Sequence, residues 1–156
     1  NLTNVRFRDF GQTSILRLRL FFKSLSSLQK VIWHHCDRDM NLSGDTFHPT
    51  YTKQIFSDDS IFIDQKYLLD RMSNLEQHDD MFLFQQLKSL ERLSIRNAKY
   101  TDGSSKSMVD GRDIPQNALI KFVRNAPSSM RWLRSDLTQE NRAMLQQERP
   151  EIQLVN

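Results

Sequence analysis

The chain has 156 residues, of which 38% are hydrophobic and 26% are charged, and its formal net charge is +3. This composition fits one folded domain and excludes a highly charged disordered chain, and the four glycines and four prolines exclude a collagen-like one. No apolar run approaches the roughly 20 residues of a membrane span. One cysteine excludes an internal disulfide and favours an intracellular, cytoplasmic or nuclear, location. Because the chain begins at Asn1 without a methionine or a signal segment, we expect it to be the C-terminal fragment of a longer protein.

One short pattern recurs from the N-terminus onwards: apolar, two others, apolar, one other, apolar. Its last two apolar positions differ by two, which is the spacing of a strand with one buried face. The units begin at residues 2, 28, 90 and 130, so their spacings are 26, 62 and 40 residues. A shorter alternation, Ile152–Val155, predicts a last strand. Within residues 37–66 the only candidate strand is Ser60–Ile63, so this segment is either an insertion or a degenerate repeat.

Between these strands the apolar residues follow helical spacing. The predicted helices are Leu18–Leu25, Tyr67–Leu75, Leu119–Ala126 and a last helix that starts at Thr138 and ends before Pro150. Residues 99–113 contain two glycines and no apolar periodicity, so we expect a mobile connection there.

This alternation of strand, loop and helix resembles a leucine-rich repeat array of the intracellular, ribonuclease-inhibitor-like type, whose consensus is L-x-x-L-x-L-x-x-N/C-x-L. The second unit matches it through Leu28, Val31, Trp33 and Cys36. Irregular arrays of this kind occur in F-box-type substrate receptors. The resemblance implies an α/β solenoid of four or five repeats over residues 1–156, with a parallel concave sheet and helices on the convex side. An ordinary α/β domain accounts for the same alternation and is the alternative interpretation of the fold.

In such a solenoid, every second strand residue points away from the core and onto the concave sheet. Of the twelve residues predicted to do so, six are basic and one is acidic, although the whole chain carries only +3. Arginine and tryptophan are also enriched at binding hot spots. The predicted partner-binding residues are Arg6, Arg8, Lys30, His34, Arg92, Arg96, Trp132 and Arg134. The competing interpretation is that these cations are solvated surface charge that discourages edge pairing.

The sequence therefore predicts a non-catalytic protein-interaction module, an adaptor or scaffold, whose basic face receives an acidic protein partner. Nucleic-acid binding through the same face is the alternative, since the pI is about 9.2 and Trp132 offers a stacking surface. We expect no membrane partner. Because terminal repeats need capping, the exposed first repeat is a candidate surface for homo-oligomer formation.

Catalytic motifs are missing from the sequence: there is no nucleophile elbow, phosphate-binding loop or H-E-x-x-H. The run from His34 to Asp37 contains metal-ligand residue types, but its two histidines point to opposite faces of a strand and no second group has zinc spacing. We therefore expect no enzymatic activity, no cofactor and no metal site.

Overall fold

The computed structural model describes residues 3–8, 28–34, 51–57, 62–64, 87–101 and 112–156. Within these residues lie nine strands and two helices, α1 (Gln116–Arg124) and α2 (Gln139–Glu148). The strands are β1 (Asn4–Arg8), β2 (Lys30–His34), β3 (Gln54–Ser57), β4 (Phe62–Asp64), β5 (Arg92–Ser94), β6 (Lys99–Thr101), β7 (Arg112–Asp113), β8 (Trp132–Arg134) and β9 (Gln153–Val155). The described part of the chain is thus α/β.

Six of the described strands form one parallel sheet in the order β1-β2-β3-β5-β8-β9. Each strand therefore pairs with the strand of this sheet that follows it along the chain. Equivalent positions are Asn4, Lys30, Gln54, Arg92, Trp132 and Gln153, so successive offsets are 26, 24, 38, 40 and 21 residues. The shortest offsets match single units of the predicted repeat, and the two longest surround the segments that carry β4, β6 and β7.

Those three short strands form a second sheet among the described residues, in which β4 is parallel and β7 antiparallel to β6. Lys99 of β6 forms an ion pair with Asp113 of β7, directly opposite in the register. The segment 99–113, predicted as a mobile connection, thus has a strand at each end, because cross-strand pairing forms regular structure in segments too short to show periodicity. Residues 102–111 lie outside the described part.

A continuous apolar row underlies the six-stranded sheet. Val31, Ile55, Leu93 and Leu133 occupy one register position on adjacent strands, and each is at most 1% exposed. This burial is the reason that the strands keep one register, since a shift by one residue would expose the whole row.

Strand β3 was missed by the sequence prediction. The motif's first and last apolar positions are taken there by Thr52 and Ser57, which left only Ile55 to signal a strand. Thr52 is nevertheless buried at 1% exposure. The predicted strand Ser60–Ile63 overlaps β4, which belongs to the second sheet.

The two C-terminal helices confirm the periodicity of the sequence. Helix α1 follows Pro115 and buries Leu119, Phe122 and Val123. Helix α2 follows Thr138, whose hydroxyl oxygen accepts a hydrogen bond from the backbone N–H of Asn141, as an N-cap residue does. The predicted helices at residues 18–25 and 67–75 lie outside the described residues. Neither described helix is long and apolar enough to cross a membrane.

Arg149 joins the ends of α1 and α2. Its Nη1 donates hydrogen bonds of 2.8 Å to the carbonyl oxygens of both Val123 and Arg124, and its Nε donates to Glu151. The last carbonyls of a helix have no partner within the helix. A guanidinium at this place both satisfies them and complements the negative end of the helix dipole.

Candidate functional site

The parallel register places two rows of side chains on the sheet face opposite the buried row, because successive side chains alternate between faces. We call this surface the open face. Its positions are Asn4 and Arg6, Lys30 and Ile32, Gln54 and Phe56, Arg92 and Ser94, Trp132 and Arg134, and Gln153 and Val155. All but Ser94 are at least partly accessible. The predicted alternation is therefore confirmed at Arg6, Lys30, Arg92, Trp132 and Arg134.

Cations and aromatic rings alternate across the middle of the open face. The Lys30 Nζ lies 5.3 Å from the centroid of the Phe56 ring, and the Arg92 Cζ lies 5.8 Å from the same centroid. Arg92 also lies over the Trp132 ring, with Cζ 4.9 Å from its centroid. These distances are within the roughly 6 Å at which a ring quadrupole attracts a cation. We call these four residues the cation–aromatic ladder.

The two rings of the ladder also contact each other. Their centroids are 5.7 Å apart and their planes are tilted by 55°, an arrangement that aromatic pairs prefer over face-to-face stacking. Because the Arg92 guanidinium contacts both rings, its position is restricted on two sides. The ladder is thus an ordered group of side chains on four adjacent parallel strands.

The charge of the open face has one sign. Four of its twelve positions are basic, namely Arg6, Lys30, Arg92 and Arg134, and none is acidic. Two acidic residues that flank the strands have partners elsewhere. Glu91 forms an ion pair with Lys53 at 3.2 Å, and Asp136 accepts a hydrogen bond of 2.7 Å from the backbone N–H of Asn97.

The predicted partner-binding residues do not all lie together in the structure. It brings Lys30, Arg92 and Trp132 into one group, and it places Arg6 and Arg134 at equivalent positions on β1 and β8. Arg96 is half-buried in the turn after β5 and is outside the two register rows.

Arg8 and His34 face each other in the backbone register of β1 and β2. Their side chains lie outside what the structure describes. Residues 35–37, which complete the run of potential metal ligands, lie outside the described residues as well.

Two positions differ from the sequence prediction. Phe56, at the centre of the ladder, was missed together with β3. Ser94 is one of the twelve strand residues predicted to point away from the core, yet it is only 3% exposed. Its short side chain lies in the register row between the longer Phe56 of β3 and Arg134 of β8.

The ladder offers charged hydrogen-bond donors on a preorganised support, a chemistry suited to binding oxyanions. In the described part of the chain, no group of three or more histidine, cysteine or carboxylate side chains is arranged to hold a metal ion. Comparisons of the chain with protein-family models, with curated proteins and with solved structures find no match.

Proposed function

We propose that this protein is a leucine-rich repeat solenoid that binds another protein through the open face. The order of the parallel strands supports the architecture, because a solenoid stacks each unit on the next unit along the chain. The recurrence of the motif supports it further. Its first apolar position is Leu28, Leu90 or Met130 in three units, and each of these side chains is at most 1% exposed. In this proposal the segment around β3 is a degenerate repeat.

The cation–aromatic ladder is the observation that carries the binding role. Arginine and tryptophan are the residue types in which interface binding energy concentrates, above all where they are packed and central. Here Arg92 and Trp132 contact each other near the middle of the open face. The role is that of a non-catalytic adaptor or scaffold, and the single cysteine favours an intracellular setting.

Nucleic-acid binding is the second function considered for this face, since phosphates also bind basic patches. Single-stranded nucleic acids gain much of their affinity from bases that stack on aromatic rings. In the ladder, both rings already have a cation over them. A stacking base would have to compete with these cations for the ring faces that they occupy, whereas a carboxylate would bind the cations directly, and this favours a protein partner.

A pull-down with the immobilised protein, with and without nuclease and at low and moderate salt, tests this function. The variant is Arg92→Glu, and the matched control is Lys88→Glu, which changes the same charge in the exposed turn before β5. We expect specific proteins to remain bound after nuclease treatment, and to be lost with the Arg92 variant but not with the control. Recovery of nucleic acid, with all protein lost after nuclease, would instead establish the alternative.

Strand β1 is at one edge of the six-stranded sheet. Self-association through the first repeat accordingly remains part of the proposal. Sedimentation velocity at several protein concentrations tests it: a dimer that is abolished by Arg6→Pro would support pairing at this edge, because proline cannot donate a strand hydrogen bond. A monomer at all concentrations would contradict it.

A further inference from the structure

We propose that Arg92 anchors the partner by binding a carboxylate side chain, and that the partner segment is extended and acidic. This adds the chemistry of the partner to the proposed protein-binding function and rests on it. The open face is the docking surface, and charge complementarity is the argument, since four cations and no carboxylates occupy its twelve positions.

The geometry of Arg92 suits this role. Its guanidinium lies over the rings of Phe56 and Trp132, so aromatic contacts restrict it, and a guanidinium over a ring can still donate hydrogen bonds from its edge. Arg92 is exposed. Ion pairs between described residues involve Lys53, Lys99, Arg124 and Arg149, and none involves Arg92. A planar fork held in one orientation loses less entropy when it binds a carboxylate with two parallel hydrogen bonds.

The spacing of the cations favours carboxylates over a single phosphate group. Lys30 and Arg92 are two strands apart, which is about 10 Å at a strand spacing of about 4.8 Å, and Phe56 lies between them. A phosphate dianion is best held by cations that converge on it. Cations distributed one to a strand instead match single negative charges distributed along a chain.

An extended segment has this distribution when acidic residues alternate with others. Side chains on the same side of an extended chain repeat about every 7 Å. The length of the glutamate, lysine and arginine side chains covers the difference between this repeat and the strand-to-strand spacing of about 10 Å between Lys30 and Arg92. The segment would run across the strands, with one carboxylate at Arg92 and neighbours near Lys30 and Arg134. The Trp132 ring would contact the aliphatic part of the segment.

The test uses a fluorescein-labelled synthetic peptide of alternating glutamate and serine, titrated with the protein and followed by fluorescence anisotropy. We expect Arg92→Gln to weaken binding about tenfold or more, since a charge-assisted pair is lost. Arg92→Lys keeps the charge but not the planar fork, and we expect it to weaken binding as well. Lys88→Gln, with the same charge loss outside the open face, should bind like the parent.

A second readout locates the peptide. The chain contains two tryptophans, and a carboxylate bound at Arg92 would change the fluorescence of the adjacent Trp132. In the Trp33→Phe variant Trp132 is the only tryptophan, so this response should persist, and its loss would contradict binding next to Trp132. Thermal melts of every variant show whether its fold is retained.

Two further probes separate the competing ligands: a peptide in which isolated phosphoserines replace the glutamates, and a single-stranded oligothymidylate. Tighter binding of the phosphopeptide would overturn the carboxylate assignment and leave the protein-binding function intact. Binding of the oligonucleotide alone would overturn both. If Arg92→Gln binds the glutamate peptide as the parent does, or if the parent does not bind it, Arg92 is not a carboxylate anchor.

Discussion

Arg124 at the end of α1 and Glu148 at the end of α2 form a bidentate ion pair, with Nε–Oε2 and Nη2–Oε1 distances of 2.7 Å each. Two parallel hydrogen bonds give this pair a defined orientation as well as charge attraction. The hydrogen bond from Arg124 lowers the pKa of the Glu148 carboxyl below its ordinary value of 4.5. The hydrogen bond from Arg149 lowers the pKa of Glu151 in the same way.

The stability of the protein should therefore depend on these carboxylates in acid. A lowered folded-state pKa means that the unfolded chain binds the proton more readily, so the contribution is complete above pH 4.5 and is lost as the pH falls through the lowered value. Urea unfolding over a series of acidic pH values measures this. We expect Glu148→Gln to show a shallower loss of stability, and an unchanged acid profile would contradict the prediction.

Replacing Arg149 should destabilise the C-terminal helices. Arg149→Ala removes two hydrogen bonds of 2.8 Å to the carbonyl oxygens of Val123 and Arg124. Because hydrogen bonds to charged groups contribute more than neutral ones, we expect the free energy of unfolding to fall by about 2 kcal/mol. Arg149→Lys should recover only part of this, since an ammonium cannot match the fork. Equal stability of Arg149→Ala and the parent in denaturant titrations would exclude the capping role.

Two leucines in the same register row provide a matched test of the core. Leu93 lies on central strand β5 and is fully buried, whereas Leu154 lies on edge strand β9 and is partly buried. Leu93→Ala should cost about 3 kcal/mol, because it removes contacts on all sides and leaves a cavity. Leu154→Ala should cost about 1 kcal/mol. Comparable losses for both variants in chemical unfolding would show that the row is not packed as described.

The turn after β5 depends on an asparagine in a left-handed conformation. Asn97 has a φ of 58°, and its backbone N–H donates to the Asp136 carboxylate. Asn97→Gly keeps both features, so we expect its stability to stay close to that of the parent. Asn97→Val should lose roughly 1–2 kcal/mol, since a β-branched residue is disfavoured at positive φ. Differential scanning calorimetry of the two variants checks this order, and the reverse order would contradict it.

The sequence pattern predicted strands where the motif begins with a large apolar residue. Leu28, Leu90 and Met130 each precede a strand of the six-stranded sheet, and the buried alternation follows from them. The pattern failed at β3 because the motif requires an apolar residue at its first position, and that position is taken by Thr52, which carries a hydroxyl. Its burial, at 1% exposure, is therefore invisible to a pattern of apolar residues.

The sequence predicted individual residues of the candidate site but not the contacts between them. Alternation places Lys30, Arg92 and Trp132 on one face, but it gives no distances between strands. The contacts depend on Phe56, which lies between Lys30 and Arg92 only because β3 pairs with both β2 and β5. Ser94 shows the converse: alternation gives the direction of a side chain, whereas its exposure depends on the size of its neighbours.

The order of the strands in the six-stranded sheet also has a consequence for biosynthesis. Each strand of this sheet pairs with its predecessor in the chain, so none has to insert between two strands that have already paired. The sheet can therefore grow at one edge as the chain leaves the ribosome, each new strand pairing with the strand that was added before it. During synthesis the growing edge would then always be that of the most recently added strand.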